Sequence, residues 1–454
     1  MRFEAINPAT GEVLRRVEAH EADAVARIVD QAAAAFHVWR TEPFSARGAL
    51  LRRAAAVLRA EQERHALLIT TEMGKPIAQS RVEVEKCAWV CEWYAEHGAA
   101  ILADETLASD ATDSYVRFDP LGPVLAVMPW NFPYWQVFRF AAPALMAGNT
   151  CLLKHASNVP GCALAIAEVF RDAGFPAHCF QTLMIPSAGV QAVIDHPAVA
   201  AVTLTGSESA GSHVAAGAGR RLKKTVLELG GSDPFIVLGD ADVDAAARTG
   251  AVARMINTGQ SCIAAKRFIV VEAVAEDFLA RFVSAVAAMR VGDPRAEDTE
   301  IGAMAREDLL LDLDAQVRAS VAQGAELRTG GRRLDGTGVF YMPTVLSGVR
   351  AGMPVFDEET FGPVAAVTIV HDTDEAIATA NDTPFGLGAS LWTRDAARAR
   401  QLAARIEAGG VFVNGMVKSD PRLPFGGIKR SGYGRELSHY GIREFVNIKT
   451  VWIA

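Results

Sequence analysis

From Val124 onwards the chain alternates short apolar runs with stretches of helical spacing. Val124–Met128, Thr150–Lys154, Phe180–Met184 and Val199–Leu204 are brief and mostly apolar. Between and after them, apolar residues return at three- and four-residue intervals around Trp135–Met146, Cys162–Asp172, Gly189–Asp195 and beyond Ser207. Apolar runs this short read as strands buried on both faces, and their alternation with helices predicts a parallel sheet covered on both sides. A second series follows the same rule, with strands at Phe235–Leu238, Arg267–Glu272, Val364–Val370, Ala389–Trp392 and Val411–Val413. Its helices run to Ile256 (capped by Asp240 or Asp242), near Ala275–Arg290, to Ala380 and over Ala396–Ile406.

The remaining segments carry different patterns. The first hundred residues read mainly as helix, at Asp23–Trp39 and Ser45–Thr71, with breaks at Thr41–Pro43 and Gly74–Pro76. The run Ser114–Phe118, Asp119–Pro120, Leu121–Gly122 predicts strand, turn and strand, hence a hairpin. The tail Glu444–Ile453 alternates like a strand. The pattern as a whole predicts an α/β fold with a nucleotide-type domain, a second α/β domain and strand extensions.

Composition narrows the class. At 454 residues the chain exceeds one small domain. Half of it is hydrophobic and 22% charged, which excludes a disordered chain. The net charge of −8 argues against a nucleic-acid partner. No apolar run reaches the ~18 residues of a membrane span, and the start MRFEAINPATGEV lacks the charged-then-apolar order of a signal peptide. A cytoplasmic protein is therefore expected, with no membrane contact. The six cysteines, Cys87, Cys91, Cys151, Cys162, Cys179 and Cys262, form no C-x-x-C pair, so no metal site is expected and the thiols read as free.

Several strings could carry chemistry. Cys262 follows Asn-Thr-Gly-Gln-Ser just past a helix end, where irregular backbone suits either a reactive thiol or an inert buried one. Glu228 is a lone acid in an apolar run ending in two glycines: burial would raise its pKa and suit it to general-base work, and a solvent-facing or ion-paired strand residue is the alternative. Asn131, in Pro129-Trp-Asn-Phe-Pro133 after a strand end, could donate to an oxyanion or cap a helix. Thr203–Gly211 places a Gly-Ser turn between strand and helix, a phosphate seat in principle. Asp357–Pro363 reads alone as an acidic turn. His213 and His371 lie far from Cys262 in the chain, which weakens a Cys–His protease reading.

Together these strings resemble the aldehyde dehydrogenase superfamily over nearly the whole chain. They occur in its order: PWNFP at 129–133, Lys154, TGS at 205–207, LELGG at 227–231, GQ-x-C at 259–262, EE-x-FGP at 358–363 and PFGG-x-K-x-SG-x-GRE at 424–436. The resemblance implies a Rossmann-type NAD(P)-binding domain at 1–101 and 121–230, a catalytic domain at 231–432, and oligomerisation arms at 102–120 and 433–454 that make a homodimer or homotetramer. It implies Cys262 as nucleophile, Asn131 as oxyanion donor and Glu228 as the base for thioester hydrolysis. Trp130, Lys154, Gly206, Ser207, Glu359 and Phe361 are the implied cofactor contacts. Ser157 stands where strict NAD users carry Glu, so NADP as well as NAD is expected to bind. Within the family the chain looks most like the short bacterial NAD(P)-using succinate-semialdehyde dehydrogenases, through LELGGSDPFIV, KHASN and the tail GRELSHYGIREFVNIKTVW. Arg139, eight residues after Asn131, is then expected to hold the distal carboxylate of the substrate, unless it serves an ordinary structural ion pair. Some members place a second arginine where Ile256 stands here; Lys418 or Arg422 is the expected substitute. The alternatives are glutarate semialdehyde or a neutral aliphatic or aromatic aldehyde, a CoA-acylating enzyme (disfavoured by Glu228), and a non-catalytic protein on this fold.

Overall fold

The structure is a computed structural model and describes residues 2–454. Two sheets organise it. The first has six strands in the order Gly432–Tyr433, Lys224–Glu228, Ala201–Thr205, Pro123–Val127, Thr150–Lys154, Phe180–Thr182. All pairings are parallel except that of Gly432–Tyr433. Alternate residues serve alternate cores. Leu125, Leu152, Val202 and Leu204 pack with Val29 and Ala32, while Val124, Ala126, Cys151 and Leu153 pack with Val137, Phe138 and the helices of the N-terminal region. A strand buried on both faces has no position for a polar residue, which is why these runs are apolar.

The second sheet has seven strands: Glu326–Thr329, Thr344–Ser347, Val364–Val370, Ala265–Val271, Asp233–Val237, Gly388–Trp392, Gly410–Val413. The edge pair Glu326–Thr329 with Thr344–Ser347 is antiparallel. Phe235, Val237, Phe268 and Val270 face one core, and Ile236, Leu238, Ile269 and Val271 the other. In the first sheet the chain moves outward from Pro123–Val127 to one side, then returns to add Ala201–Thr205 on the other. That reversal opens a crevice beyond the carboxyl ends of the two neighbouring strands. Two loops emerge there, Pro129–Pro133 and Gly206–Ser207.

The hairpin expected across residues 114–122 does not form. Asp113–Pro120 pairs with Val446–Ile453 and Glu105–Thr106 in a separate antiparallel sheet, whereas Pro123–Val127 enters the six-stranded sheet. Asp113–Pro120 mixes exposed and buried positions, as a half-solvated antiparallel strand does, but Pro123–Val127 is buried almost throughout and needs a cover on both faces. The Ser45–Thr71 region is two helices, Phe44–Ala60 and Gln62–Met73, parted at Glu61, followed by Ile77–Ile101. Arg2–Ile6 and Val13–Glu18 pair as short antiparallel strands before the first helix, Ala22–Trp39. No helix among the described residues is long and apolar enough to cross a membrane.

Candidate active site

Cys262 is placed by a strained turn. The helix Val243–Met255 ends, and Asn257, Thr258 and Gly259 follow with φ of 55°, 56° and 71°. Left-handed backbone is costly for Asn and more so for β-branched Thr, on the order of 1–3 kcal/mol each. Hydrogen bonds hold both residues there. Asn257 Nδ2 donates to the Asn131 carbonyl at 2.8 Å and to the Gln260 carbonyl at 3.0 Å, and its backbone N–H donates to Gln79 Oε1 at 2.7 Å. Thr258 Oγ1 accepts from Gly302 N–H at 3.1 Å. A Cβ on Gly259 would collide with the Gly362 carbonyl, so the third position takes only glycine. These bonds fasten the cysteine loop to the Asn131 loop. The Asn131 amide donates one N–H to the Gln260 carbonyl at 3.1 Å and keeps its second.

Cys262 is the one partly exposed cysteine; the other five are buried. It lines two cavities at once. One, of about 380 Å³, is walled mainly by apolar side chains such as Phe132, Trp135, Ile263 and Phe425. The other, of about 430 Å³, contains Trp130, Asn131, Gly206, Ser207, Glu359 and Phe361. An electrophile in the first and an acceptor in the second would meet at the thiol.

The thiol is held protonated. Burial pushes its pKa up to about 12, against the pull of Arg139 and Lys266. Lys266 is buried and donates to the carbonyls of Ser261 at 3.0 Å and Cys262 at 2.8 Å, and it pairs with Glu359 at 3.4 Å. Glu359 also accepts from Gly231 N–H at 3.0 Å, which ties the segment after Glu228 to the cofactor-side cavity. Glu228 ends the strand Lys224–Glu228 and is buried with neither carboxyl oxygen hydrogen-bonded. Burial and the nearby Glu436 raise its pKa well above the usual carboxylate range, with Arg139 and Arg435 opposing. Its carboxyl faces Gly426, where a Cβ would come within 2.8 Å of Oε1, so space for it depends on a glycine. Glu228 lines neither cavity.

The cofactor-side cavity has the parts a dinucleotide needs. Ser207 caps the helix Glu208–Arg220 by accepting from Ala210 N–H at 3.3 Å, and Gly206 precedes it at the strand end. Free N–H groups at a helix start suit a pyrophosphate. Trp130 and Phe361 meet edge to face at 5.8 Å and form an aromatic wall. Gly230 has no room for a Cβ beside the Glu359 carboxylate. Lys154 ends its strand in register with Val127, and Ser157 is exposed in the turn three residues on; both lie outside the cavity that holds Cys262.

The cationic residues divide. Arg139 lines the apolar cavity from within the helix Trp135–Ala147, but it is buried, ion-paired with Glu436 and stacked 4.5 Å over Phe425. Its Nη2 also reaches Thr205 Oγ1 at 3.4 Å. Lys418 lines the same cavity from an exposed position. Arg422 does not line it; it pairs with Asp420 at 2.7 Å and lies 5.5 Å over Trp89. Lys86 and Ser419 are also in the lining, and neither stands out from its surroundings in the sequence. Lys86 sits in a helix beside Glu83 and Glu85, where it reads as part of a solvated face. Lys86 Nζ donates to Ser419 Oγ at 2.8 Å and lies 4.2 Å over the Trp135 ring. Burial and the charge of Arg139 lower its pKa to about 8.

A two-sheet α/β fold with one thiol shared between an apolar cavity and a dinucleotide-type cavity is the plan of an aldehyde-oxidising dehydrogenase. The aldehyde dehydrogenase family model matches residues 1–451, and the chain belongs to that family. A probable succinate-semialdehyde dehydrogenase [NADP(+)] from Synechocystis is 55% identical, with both chains covered in full. A succinate semialdehyde dehydrogenase [NAD(P)+] of Escherichia coli is 52% identical over 99% of this chain and 97% of its own. The crystal structure of a succinic semialdehyde dehydrogenase from Streptococcus pyogenes with NADP+ superposes with a TM-score of 0.97 at 37% identity, covering 99% of each chain.

Proposed function

We propose that this protein oxidises succinate semialdehyde to succinate, with NADP or NAD as hydride acceptor. The observation that carries the reading is the thiol of Cys262 at the junction of two cavities, one fit for a dinucleotide and the other apolar with lysine and arginine in its lining. Full-length relatives with that activity in their names support the substrate.

In this reading the Cys262 thiol passes its proton through Glu228 to solvent, and the thiolate attacks the aldehyde carbon, making a thiohemiacetal oxyanion. The free N–H of Asn131 and the backbone N–H of Cys262 stabilise its oxyanion. NAD(P), when bound, supplies the hydride acceptor, and loss of the hydride leaves a thioester on Cys262. Glu228, rotated towards the thiol, takes a proton from water as the water attacks the thioester carbonyl; the Cys262 sulfur leaves and succinate is released. Gly206 and Ser207 hold the pyrophosphate, Lys154 the adenosine ribose and Glu359 the nicotinamide ribose, with Trp130 and Phe361 as walls. Ser157 brings no negative charge to a 2′-phosphate, so NADP is accepted. Residues 1–101 and 121–230 carry the cofactor and 231–432 carry the thiol, and the enzyme works as a cytoplasmic homodimer or homotetramer.

The test is a panel of succinate semialdehyde, glutarate semialdehyde, butyraldehyde and benzaldehyde, each with NAD and NADP. The expected kcat/KM for succinate semialdehyde exceeds that for butyraldehyde by tenfold or more, and NADP supports turnover. Equal values for acidic and neutral aldehydes would remove the substrate assignment.

A further inference from the structure

Among the described residues two line both cavities, Cys262 and Gln136. The chemistry given above makes no use of Gln136. It stands in the first turn of the helix Trp135–Ala147 and is buried. Its backbone N–H donates to the Phe132 carbonyl at 3.1 Å. Glu83 Oε1 accepts the preceding N–H groups, of Tyr134 at 2.9 Å and of Trp135 at 3.0 Å. The helix start is thereby fixed against the Asn131 loop, and Gln136 with it.

The surroundings of the thiol are short of donors. Gln136 Oε1 is buried and finds no hydrogen-bond partner among the described residues. The same holds for Asn131 Oδ1 and for both carboxyl oxygens of Glu228. A buried acceptor left without a donor carries its whole desolvation cost, so these oxygens call for a ligand that donates. An aldehyde offers only an acceptor at its reacting end, and a distal carboxylate adds only acceptors. Water brings two O–H groups, and a buried water settles where two or more polar groups converge. The coenzyme carboxamide is the other donor that reaches this place.

Gln136 also faces the strand end that carries Glu228. Arg139, one turn later on the same helix face, extends Nη2 to Thr205 Oγ1 at 3.4 Å. Thr205 is the strand partner of Glu228. Thr205 and the two residues after Glu228, Leu229 and Gly230, line the coenzyme-side cavity together with Gln136 and Cys262. Gln136 therefore shares one wall with the thiol and with the flanks of the base.

We propose that Gln136 is a catalytic residue of thioester hydrolysis, its amide oxygen holding one O–H of the attacking water while Glu228 takes the other proton. The assignment rests on the roles of Cys262 and Glu228 given under Proposed function, and not on which aldehyde is oxidised. Two acceptors fix both hydrogens of the water and leave a lone pair directed at the thioester carbon. The C–O bond forms as Glu228 takes one proton. The C–S bond then breaks and its electron pair goes to sulfur. The second proton leaves with the carboxylic acid, which ionises in solvent. Hydride transfer, the step before, involves no water, so Gln136 acts only after the coenzyme is reduced.

The experiment follows wild type, Gln136→Met and Gln136→Asn by stopped flow, with NADP and the aldehyde that wild type oxidises fastest, and weighs the acid-quenched enzyme by mass spectrometry. Met fills the same space without the amide, and Asn withdraws the oxygen by one bond. Both variants are expected to complete the first turnover at the wild-type rate, releasing a burst of about one NADPH per active site. Later turnovers slow by about tenfold or more, the worth of one hydrogen bond to the reacting water. The acyl group on Cys262 then accumulates to a higher fraction than in wild type. Should Gln136→Met fail to fold, Gln136→Asn alone decides. A kcat equal to that of wild type would overturn the role of Gln136. So would a first turnover slowed as much as kcat, which would place Gln136 on the aldehyde or the nicotinamide. Turnover with no acyl group on Cys262 in any of the three enzymes would instead overturn the thioester route itself, and the role of Gln136 with it.

Discussion

A thiol whose pKa is pushed up to about 12 is almost wholly protonated at neutral pH, and burial also raises the pKa of its neighbour Glu228 well above the usual carboxylate range. In the proposed mechanism Glu228 would rotate away from Gly426 into a wetter position, which would lower its pKa and let it accept a proton. The free enzyme should reveal the raised thiol pKa through alkylation of Cys262 by iodoacetamide. An exposed cysteine levels off above its pKa of about 8.5. Here the second-order rate is expected to keep climbing from pH 7 to 10, since the thiolate fraction still rises tenfold per pH unit well below a high pKa. A plateau near pH 8.5 would show that the thiol is not desolvated. At this scale the strings around Cys262, Glu228 and Asn131 were legible because each breaks its surroundings: an acid in an apolar run, a cysteine after a glycine turn. Lys86, Lys266 and Glu436 gave no such signal. Lys266 sits in a strand and Glu436 in a basic string, and only three-dimensional contact shows that one holds Glu359 and the other neutralises Arg139.

At the scale of elements, the cysteine loop depends on a staple. Arg254, at the end of the helix Val243–Met255, is fully buried and donates to the carbonyls of Val364 at 2.6 Å and Thr360 at 3.0 Å, to that of Gly362, and to Gly259 at 3.3 Å. It joins the helix before Cys262 to the segment that carries Glu359 and Phe361. Each hydrogen bond from a charged group is worth about 1.5–3 kcal/mol, and removal leaves buried carbonyls unpaired. Arg254→Ala is expected to lower the melting temperature by several degrees and kcat at least tenfold, measured by calorimetry and steady-state rates at a temperature where the variant is folded. Unchanged kcat in a destabilised variant would confine Arg254 to stability. Elements buried on both faces were legible, because apolar content alone marks them. The hairpin reading failed because adjacent strand-like runs say nothing about which sheet each joins, and Asp113–Pro120 finds its partner in Val446–Ile453 more than three hundred residues later. Arg2–Ile6 and Val13–Glu18 escaped because they are short, and Val13–Glu18 buries no residue.

At the scale of the whole molecule, the three-stranded sheet poses a physical problem. Its edge strand Val446–Ile453 pairs on one side only, with Asp113–Pro120. A strand covering a core buries alternate residues, yet here only Val446 is buried, and Ile448, Trp452 and Ile453 are 62%, 53% and 48% exposed. Both faces and one edge of an eight-residue apolar strand are therefore uncovered in the single chain. Long unprotected edges invite pairing with another chain, and soluble monomers usually block them with charge, proline or a bulge. Lys449 is the one charged side chain in this strand, and it is spent on Asp119. A second copy of this chain is the economical cover, because an identical edge offers the same pattern in return. Wild type is accordingly expected to sediment at two or four times the mass of one chain. The double substitution Ile448→Glu and Ile453→Glu places like charges on that edge and is expected to shift the mass towards one chain while far-ultraviolet circular dichroism stays unchanged. A wild type that sediments as a single chain at micromolar concentration would mean that the strand is tolerated uncovered, and the homo-oligomer would have to be abandoned.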